Sequence, residues 1–278
     1  MNKIIITLFV SLVSAVSITA QNDDRIKGDR NVTIKQTYID PFNRIVVGED
    51  FSVEIIYNKR PSVEVETDDN LHEYINFEVK DSVLVFNTTK RITSSRRMNI
   101  KVNYDDALQH IEVRDDGEVR SLTSLEFKNA TLKTSGSSKA YLNVKAQTFD
   151  FVSLDKAKVK LNVSSKSATM QLSDNSKLDA LVNAPESKFD LYQRANADIE
   201  GFAENTLVRT ENNSKFNGSN FTTKTCTAIC ETSSDLYIEV LDSISIEATG
   251  TSSVYLFGTP KITINKFIDN VKLQKKTK

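Results

Sequence analysis

The chain has 278 residues, contains no Trp and only 4 Pro, and carries a formal net charge of -1 at pH 7. A balanced charge gives no bulk field that would recruit nucleic acid or an anionic membrane, so any electrostatic partner must meet a local patch. The length suits one domain or two. Because apolar residues do not recur at helical spacing for long and Val, Ile, Thr, Ser and Phe are plentiful, the sequence predicts an all-β protein.

The first 20 residues have the pattern of a secretory signal peptide. Lys3 precedes an apolar run from Ile4, which small residues interrupt and which ends at Ala20 before a polar stretch. A permanent membrane span is the alternative, but no basic anchor follows the run directly. No Cys lies near Ala20 to carry a lipoprotein anchor. We therefore expect cleavage after Ala20 and export of a protein without a transmembrane segment.

Residues 21–108 read as a β-rich N-terminal cap. Long alternating stretches such as FNRIVVGEDFSVEIIY from Phe42 predict strands, Asp81-Ser82 predicts a tight turn, and Asn70–Tyr74 predicts a short helical turn. A β-solenoid needs such a cap because its first coil would otherwise expose an open sheet edge.

Residues 109–262 contain a degenerate repeat. A small residue, which we call the marker, recurs at differences of 21, 19, 19, 19, 19, 20 and 18 residues. The markers are Gly117, Ser138, Ala157, Ser176, Ala195, Ser214, Ser234 and Ser252. A near-constant period without a fixed motif is typical of a solenoid, in which each coil returns the chain to the same corner.

Period-two columns flank the marker and predict which side chains face inward. The residues six before it are all apolar: Ile111, Leu132, Phe151, Met170, Phe189, Val208, Ala228 and Ile246. The columns four before, two after and four after are also predominantly apolar or small. This predicts a parallel β-helix with coils of roughly 19 residues, whereas the drifting period disfavours leucine-rich and hexapeptide repeats. A meander of antiparallel hairpins stays open, since its strands would show the same alternation.

The two cysteines and the C-terminus complete the chain. Cys226 and Cys230 would lie about 13 Å apart on an extended strand, too far for a disulfide. Cys230 falls in an inward column, so we expect free, buried thiols; a metal pair is the weaker alternative, because no histidine lies near. Residues 263–278 are predicted to be a C-terminal cap with a basic tail whose lysines discourage edge pairing.

The sequence resembles the family called putative auto-transporter adhesin, head GIN domain. The resemblance rests on FNRIVVGEDFSVEI from Phe42, on VEVETDDNL from Val63, on the serial polar corners, and on ATGTSSVYLFGTPKI from Ala248. It implies a right-handed parallel β-helix, a secreted or envelope protein of a Gram-negative bacterium, and adhesion without a proven ligand. We expect a surface glycan or an envelope protein as the partner. It carries over no catalytic residues, and the corners here use Ser, Asn, Asp and Lys where the family often has Gly-Ser-Gly.

An enzymatic function is the alternative to adhesion, because parallel β-helices often degrade polysaccharides. Glycosidases need two converging carboxyl groups, for which Asp115 with Asp116, or Asp179 with Asp198, are candidates. Solvated turn acids explain both pairs more simply. A lyase pairing Lys177 with Asp179 lacks further acids for calcium, and only His110 lies near the solenoid. We predict no catalytic residue, metal or cofactor; a lyase or hydrolase remains the alternative.

One column could bind a ligand. Lys139, Lys158, Lys177, Asn196 and Lys215 directly follow their markers, so stacked coils would place them about 4.8 Å apart as a basic ladder for an anionic glycan. Alternatively, the lysines only solubilise a corner, offset by Asp155, Asp174 and Asp190. Tyr141, Tyr237 and Tyr255 occupy a second exposed column and could stack on sugar rings, although surface tyrosines on strands are ordinary.

Overall fold

The computed structural model of the protein describes residues 24–278, so the predicted signal peptide lies outside the described residues. It is 65% strand and 2% helix, and its coils stack as a β-solenoid of about 9 turns with about 19 residues per turn. The predicted all-β solenoid and its period are thus confirmed.

Residues 24–278 form 25 strands and one 3-10 helix, Asp69–Tyr74. The strands of the N-terminal part are β1 (Arg25–Lys27), β2 (Val32–Tyr38), β3 (Arg44–Val47), β4 (Ser52–Tyr57), β5 (Ser62–Asp68), β6 (Ile75–Lys80), β7 (Val83–Thr88), β8 (Arg91–Ser94) and β9 (Met98–Tyr104). The following strands are β10 (His110–Val113), β11 (Glu118–Ser121), β12 (Leu125–Glu126), β13 (Asn129–Thr134), β14 (Lys139–Lys145), β15 (Thr148–Ser153), β16 (Lys158–Ser164), β17 (Ser167–Leu172) and β18 (Lys177–Asn183). The last are β19 (Glu186–Leu191), β20 (Asn196–Thr210), β21 (Lys215–Cys230), β22 (Asp235–Ala248), β23 (Ser253–Phe257), β24 (Lys261–Phe267) and β25 (Lys272–Lys275).

Each coil contributes a strand before its marker and a strand after it. The strands before the markers pair in parallel to form what we call the first sheet, for example β13 with β15 and β15 with β17. Those after the markers form the second sheet, for example β14 with β16 and β16 with β18. The parallel pairing excludes the antiparallel meander for these coils.

The markers lie at the corner between the two sheets. All eight are buried, and the residue after each marker donates its backbone N–H to the carbonyl of the previous marker, as Lys158 does to Ser138 and Lys215 does to Ala195, both at 2.9 Å. The predicted stacking of the markers along one edge is confirmed. The eight markers are all small residues, which suits a corner that is closed inside the solenoid.

The tight corner depends on a left-handed backbone conformation at the residue two positions before each of the eight markers. The φ angles there are positive, between 53° and 73°. The residues are Asp115, Gly136, Asp155, Asp174, Gln193, Asn212, Thr232 and Gly250. Side chains stabilise some of these corners: an Asp155 carboxylate oxygen accepts the N–H of Gly136 at 2.8 Å. Asp and Asn tolerate this conformation better than most residues, and Gly adopts it freely.

The predicted inward columns form one continuous core. All eight residues six before the markers are at most 4% exposed, and Cys226 and Cys230 are both free and buried. Phe189 packs against Phe216 and Phe221, with ring centroids 5.0 and 5.6 Å away. Such tilted and edge-on aromatic contacts add to the hydrophobic stabilisation of the core.

The repeat also occurs within the region predicted as a cap. β3 pairs in parallel with β10 and β4 with β11, so residues 44–57 form a coil, with Phe51 in the marker position and Glu49 left-handed. β7 and β9 then pair with the other edges of β3 and β4. Antiparallel strands β2, β5 and β6 close this end, and the predicted Asp81-Ser82 turn joins β6 to β7. The limits 21 and 108 stay a prediction.

At the other end, β24 and β25 add a last coil above β22 and β23. Asp269 repeats the left-handed corner, and its carboxylate accepts the N–H of Gly250 at 3.0 Å. The region predicted as a C-terminal cap, residues 263–278, therefore contains most of a coil that no described strand covers.

Candidate functional site

The predicted lysine column forms an in-register ladder on the outer face of the second sheet. Lys139 lies opposite Lys158, Lys158 opposite Lys177, and Lys177 opposite Asn196, which is followed by Lys215. The ladder forms because each lysine is the first residue of a strand that follows a marker. All four lysines are exposed and Asn196 is half-buried.

The acids expected to offset this charge are engaged elsewhere. Asp155 and Asp174 accept backbone N–H groups at the corners, and Asp190 pairs with Lys188 at 2.8 Å on the first sheet. Within residues 24–278, Lys158 and Lys177 form no ion pair. The two ammonium groups at the centre of the ladder are therefore not held in ion pairs with these acids.

The two ends of the ladder have partners. The Lys139 ammonium lies 3.9 Å from a carboxylate oxygen of Glu118 in the neighbouring coil. At the other end, the Lys215 ammonium lies 5.3 Å from the ring centroid of Tyr237. A ligand that needs free ammonium groups would therefore find them first at Lys158 and Lys177.

The three predicted tyrosines lie in the same column of the second sheet, but only two of them are in neighbouring coils. Tyr237 and Tyr255 are adjacent, with stacked rings whose centroids lie 4.2 Å apart, and Lys276 lies 5.1 Å from the Tyr255 ring centroid. Burial, followed by the hydrogen bond with Tyr255, raises the pKa of Tyr237. Since the ring faces already contact each other and lysines, a sugar could stack there only if a lysine moved away.

Tyr141 lies several coils away, beside the ladder. The Arg120 guanidinium carbon lies 4.4 Å from its ring centroid. The ring lines a shallow depression of about 610 Å³ on the outer face of the second sheet. Other residues around the depression include Leu122, Asn143, Lys160, Asn162 and Leu181.

Sequence reasoning missed the asparagines and leucines of this depression. Asn143 pairs with Asn162 and Asn162 with Leu181, five residues after successive markers. The same period-two rule that places the lysines outward places this column outward too. The two-residue alternation therefore predicted that this column faces outward, but asparagines and leucines do not indicate a binding site as a run of lysines does. Together the columns offer ammonium groups, amides and apolar side chains on one face, and the carboxylates of Glu54, Asp179 and Glu200 also line the depression.

The carboxylate pairs considered for catalysis are solvated. Asp179 and Asp198 are neighbours in register, but Asp179 lies 3.4 Å from the Lys160 ammonium and Asp198 accepts the Asn217 amide N–H at 2.7 Å. The Asp179 side chain is 65% exposed. A glycosidase acid is instead held in a site that raises its pKa. Asp115 and Asp116 lie in a corner turn.

The two cysteines, which were also considered as a metal pair, have a structural role in the core. Burial raises the pKa of the Cys226 thiol, and burial raises that of Cys230 to about 12. Such thiols are poor nucleophiles and metal ligands at neutral pH. Residues 24–278 contain no group of three or more His, Cys, Asp or Glu side chains placed to hold a metal ion.

Comparison with known proteins decides the family. The profile of the family described as "Putative auto-transporter adhesin, head GIN domain" matches residues 41–184 and 156–260. The chain belongs to this GIN-domain family. The match confirms the resemblance seen in the sequence and extends over both the coil of residues 44–57 and the ladder.

Solved structures share the fold of this GIN-domain protein. A "putative adhesin" from Parabacteroides distasonis has a TM-score of 0.69 at 16% identity, with 90% of this chain and 100% of that chain covered. A "putative adhesin" from Parabacteroides merdae has a TM-score of 0.64 at 16% identity and covers 91% of this chain and 100% of its own. A "putative lipid binding protein" from P. distasonis reaches 0.57 at 13% identity, covering 91% and 100%. At these identities the likeness shows the fold alone.

No match was found among curated protein sequences. No helix within residues 24–278 has the length and hydrophobicity to cross a membrane.

Proposed function

We propose that this GIN-domain protein is an exported, non-enzymatic adhesin-like module that binds an anionic surface polysaccharide along the outer face of its second sheet. The observation that carries the proposal is the in-register stack of Lys139, Lys158 and Lys177, in which the last two have no ion pair among the described residues. Their charge is therefore available to a ligand.

The geometry of the face suits a polymer. Lysines in adjacent coils recur at the strand spacing of about 4.8 Å, so the anionic groups of an extended chain can meet one ammonium after another. In the neighbouring columns, Leu181 and the part of the Tyr141 ring that Arg120 does not cover offer apolar surface to the carbon-bound hydrogens of a sugar ring. Asn143 and Asn162 offer amides to its hydroxyls. An acidic polysaccharide carries anionic groups, hydroxyls and carbon-bound hydrogens, which can contact the ammonium, amide and apolar groups of this face.

The signal-peptide pattern of residues 1–20 supports the proposed export, and the family supports the proposed adhesion. A periplasmic, outer-surface or extracellular location in a Gram-negative bacterium suits this proposal, with a surface glycan or an envelope protein as the partner. The absence of enzymatic activity is supported by the solvated state of Asp179 and Asp198.

A panel of acidic and neutral polysaccharides tests the proposal. Each glycan is incubated with the protein and scored both for retention of the protein and for release of reducing ends. We expect retention on acidic glycans only, without release. Retention on neutral glycans alone would refute the ladder as the site, and release of reducing ends would favour the polysaccharide-degrading enzyme.

A further inference from the structure

At the C-terminal end of the solenoid, apolar side chains are exposed at positions whose equivalents in the preceding coils are buried. Ile262 lies opposite Ile244 and Ile264 opposite Ile246, whose side chains are at most 1% exposed. Ile262 and Ile264 are nevertheless 45% and 50% exposed, because no described strand pairs with the outer edge of β24. We call Ile262, Ile264 and Phe267, together with Ile268 at the corner that follows them, the apolar end; all four are more than 40% exposed.

Positive charge surrounds this apolar end. Residues 261–278 contain six lysines and a single acid, Asp269, whose carboxylate is bound to the N–H of Gly250. Lys278 pairs with Glu239 at 2.7 Å, and Lys276 lies over Tyr255. The other four lysines make no ion pair within the described part of the chain: Lys261, Lys266, Lys272 and Lys275.

The same features disfavour a further protein strand as the occupant. Lys275 lies opposite Leu256, a buried inward position, and the pairing of β24 with β22 is broken by a bulge after Ile246. A lysine at an inward position of the last strand and a bulge are devices that discourage edge pairing. A second copy of the chain docked end to end would also bring two lysine-rich ends together, which repel each other.

We infer that the apolar end, with Lys261, Lys266, Lys272 and Lys275, docks on an anionic lipid surface. Lysine ammonium groups can extend to the headgroups while their aliphatic stems lie along apolar surface. The four apolar side chains can then enter the boundary between headgroups and acyl chains, as the apolar face of an interfacial segment does. Lys272 lies in the same column as the ladder, three coils beyond Lys215, but the rest of this surface is separate from the ladder. An envelope protein docked by its end would therefore leave Lys158 and Lys177 free for a glycan.

Vesicle binding tests the inference. The protein is sedimented with vesicles of phosphatidylcholine alone, or with vesicles in which one lipid in three is phosphatidylglycerol. We expect binding to the anionic vesicles only. Lys266→Gln with Lys272→Gln should lower partitioning about 30-fold, since each lysine near an anionic surface contributes about fivefold. Ile262→Ser with Ile264→Ser should lower it about 10- to 30-fold through lost apolar burial.

The matched control is Lys158→Gln with Lys177→Gln, which removes the same charge from the ladder and should leave vesicle binding unchanged. All variants alter exposed residues, and circular dichroism checks that each is folded. Equal binding to both vesicle types, no binding to either, or end variants that bind like the parent would each overturn the inference. So would sedimentation showing self-association that Ile262→Ser with Ile264→Ser abolishes, because the end would then be a contact between copies.

Discussion

Lys177 lies directly opposite Lys158 in the parallel second sheet, and its backbone N–H donates to the carbonyl of Ala157 at 2.9 Å. The backbone of the coil, and not any attraction between the side chains, holds these two like charges side by side. Like charges at neighbouring positions on a sheet are destabilising. A ligand that bridges them would relieve this repulsion.

Replacing Phe189 by Ala should destabilise the protein by about 3 to 5 kcal/mol, because the ring is fully buried against Phe216 and Phe221. Phe151, in the same inward column, should behave alike. Chemical denaturation measures the change, and Phe202→Ala is the control because that ring is 40% exposed. A loss below about 1 kcal/mol at Phe189 would remove it from the packed core.

Replacing Gly136 by Ala should destabilise the protein by about 1 to 3 kcal/mol, because the position has a φ of 70° that side chains with a Cβ adopt at a cost. The added Cβ would also lie 2.8 Å from the backbone of Asp115 in the preceding coil. Thermal unfolding compares this variant with Ser137→Ala, one residue along in the same corner. We expect little change for Ser137→Ala, and a similar effect for both variants would contradict this account of the corner.

The two thiols should be unreactive in the folded protein. Burial raises the pKa of both cysteines, so at pH 8 the thiolate that attacks a disulfide reagent is scarce, and the reagent cannot reach it. A free thiol with a pKa of about 8.5 would react readily at this pH. Titration with an aromatic disulfide reagent should therefore detect both thiols only after denaturation. Rapid reaction of either thiol without denaturant would mean that the segment from Cys226 to Cys230 is not packed inside.

The sequence was sufficient to predict the coil period and the inward columns, because both follow from the two-residue alternation of strands. It did not reveal the coil of residues 44–57. Although Val47, Glu49 and Phe51 occupy the repeat positions, Gly117 follows Phe51 by 66 residues, and the intervening chain hides the period. The left-handed backbone at the corners could not be predicted from residue type, because Gln193 and Thr232 adopt this conformation just as Gly250 does.

The candidate site was predictable in its register but not in its chemistry. The ladder follows from the period alone, whereas the partners of each charge depend on where neighbouring side chains turn. Asp155 and Asp174 turn to the corner backbone, and Lys158 and Lys177 form no ion pair among the described residues. Likewise, the depression beside Tyr141 requires Leu122 and Leu181 from different coils.

The most direct test of the ladder is the salt dependence of binding to a retained acidic polysaccharide, measured for the parent and for Lys158→Gln with Lys177→Gln. Losing two exposed ion pairs should weaken binding about 2- to 30-fold, and the salt dependence should flatten because such charges are screened over about 10 Å at about 0.1 M salt. The control, Lys128→Gln with Lys133→Gln, removes the same charge elsewhere, with Lys133 exposed on the first sheet, and should keep the parent's affinity and slope. Unchanged affinity and slope in the ladder variant, or equal losses in the control, would contradict binding at the ladder.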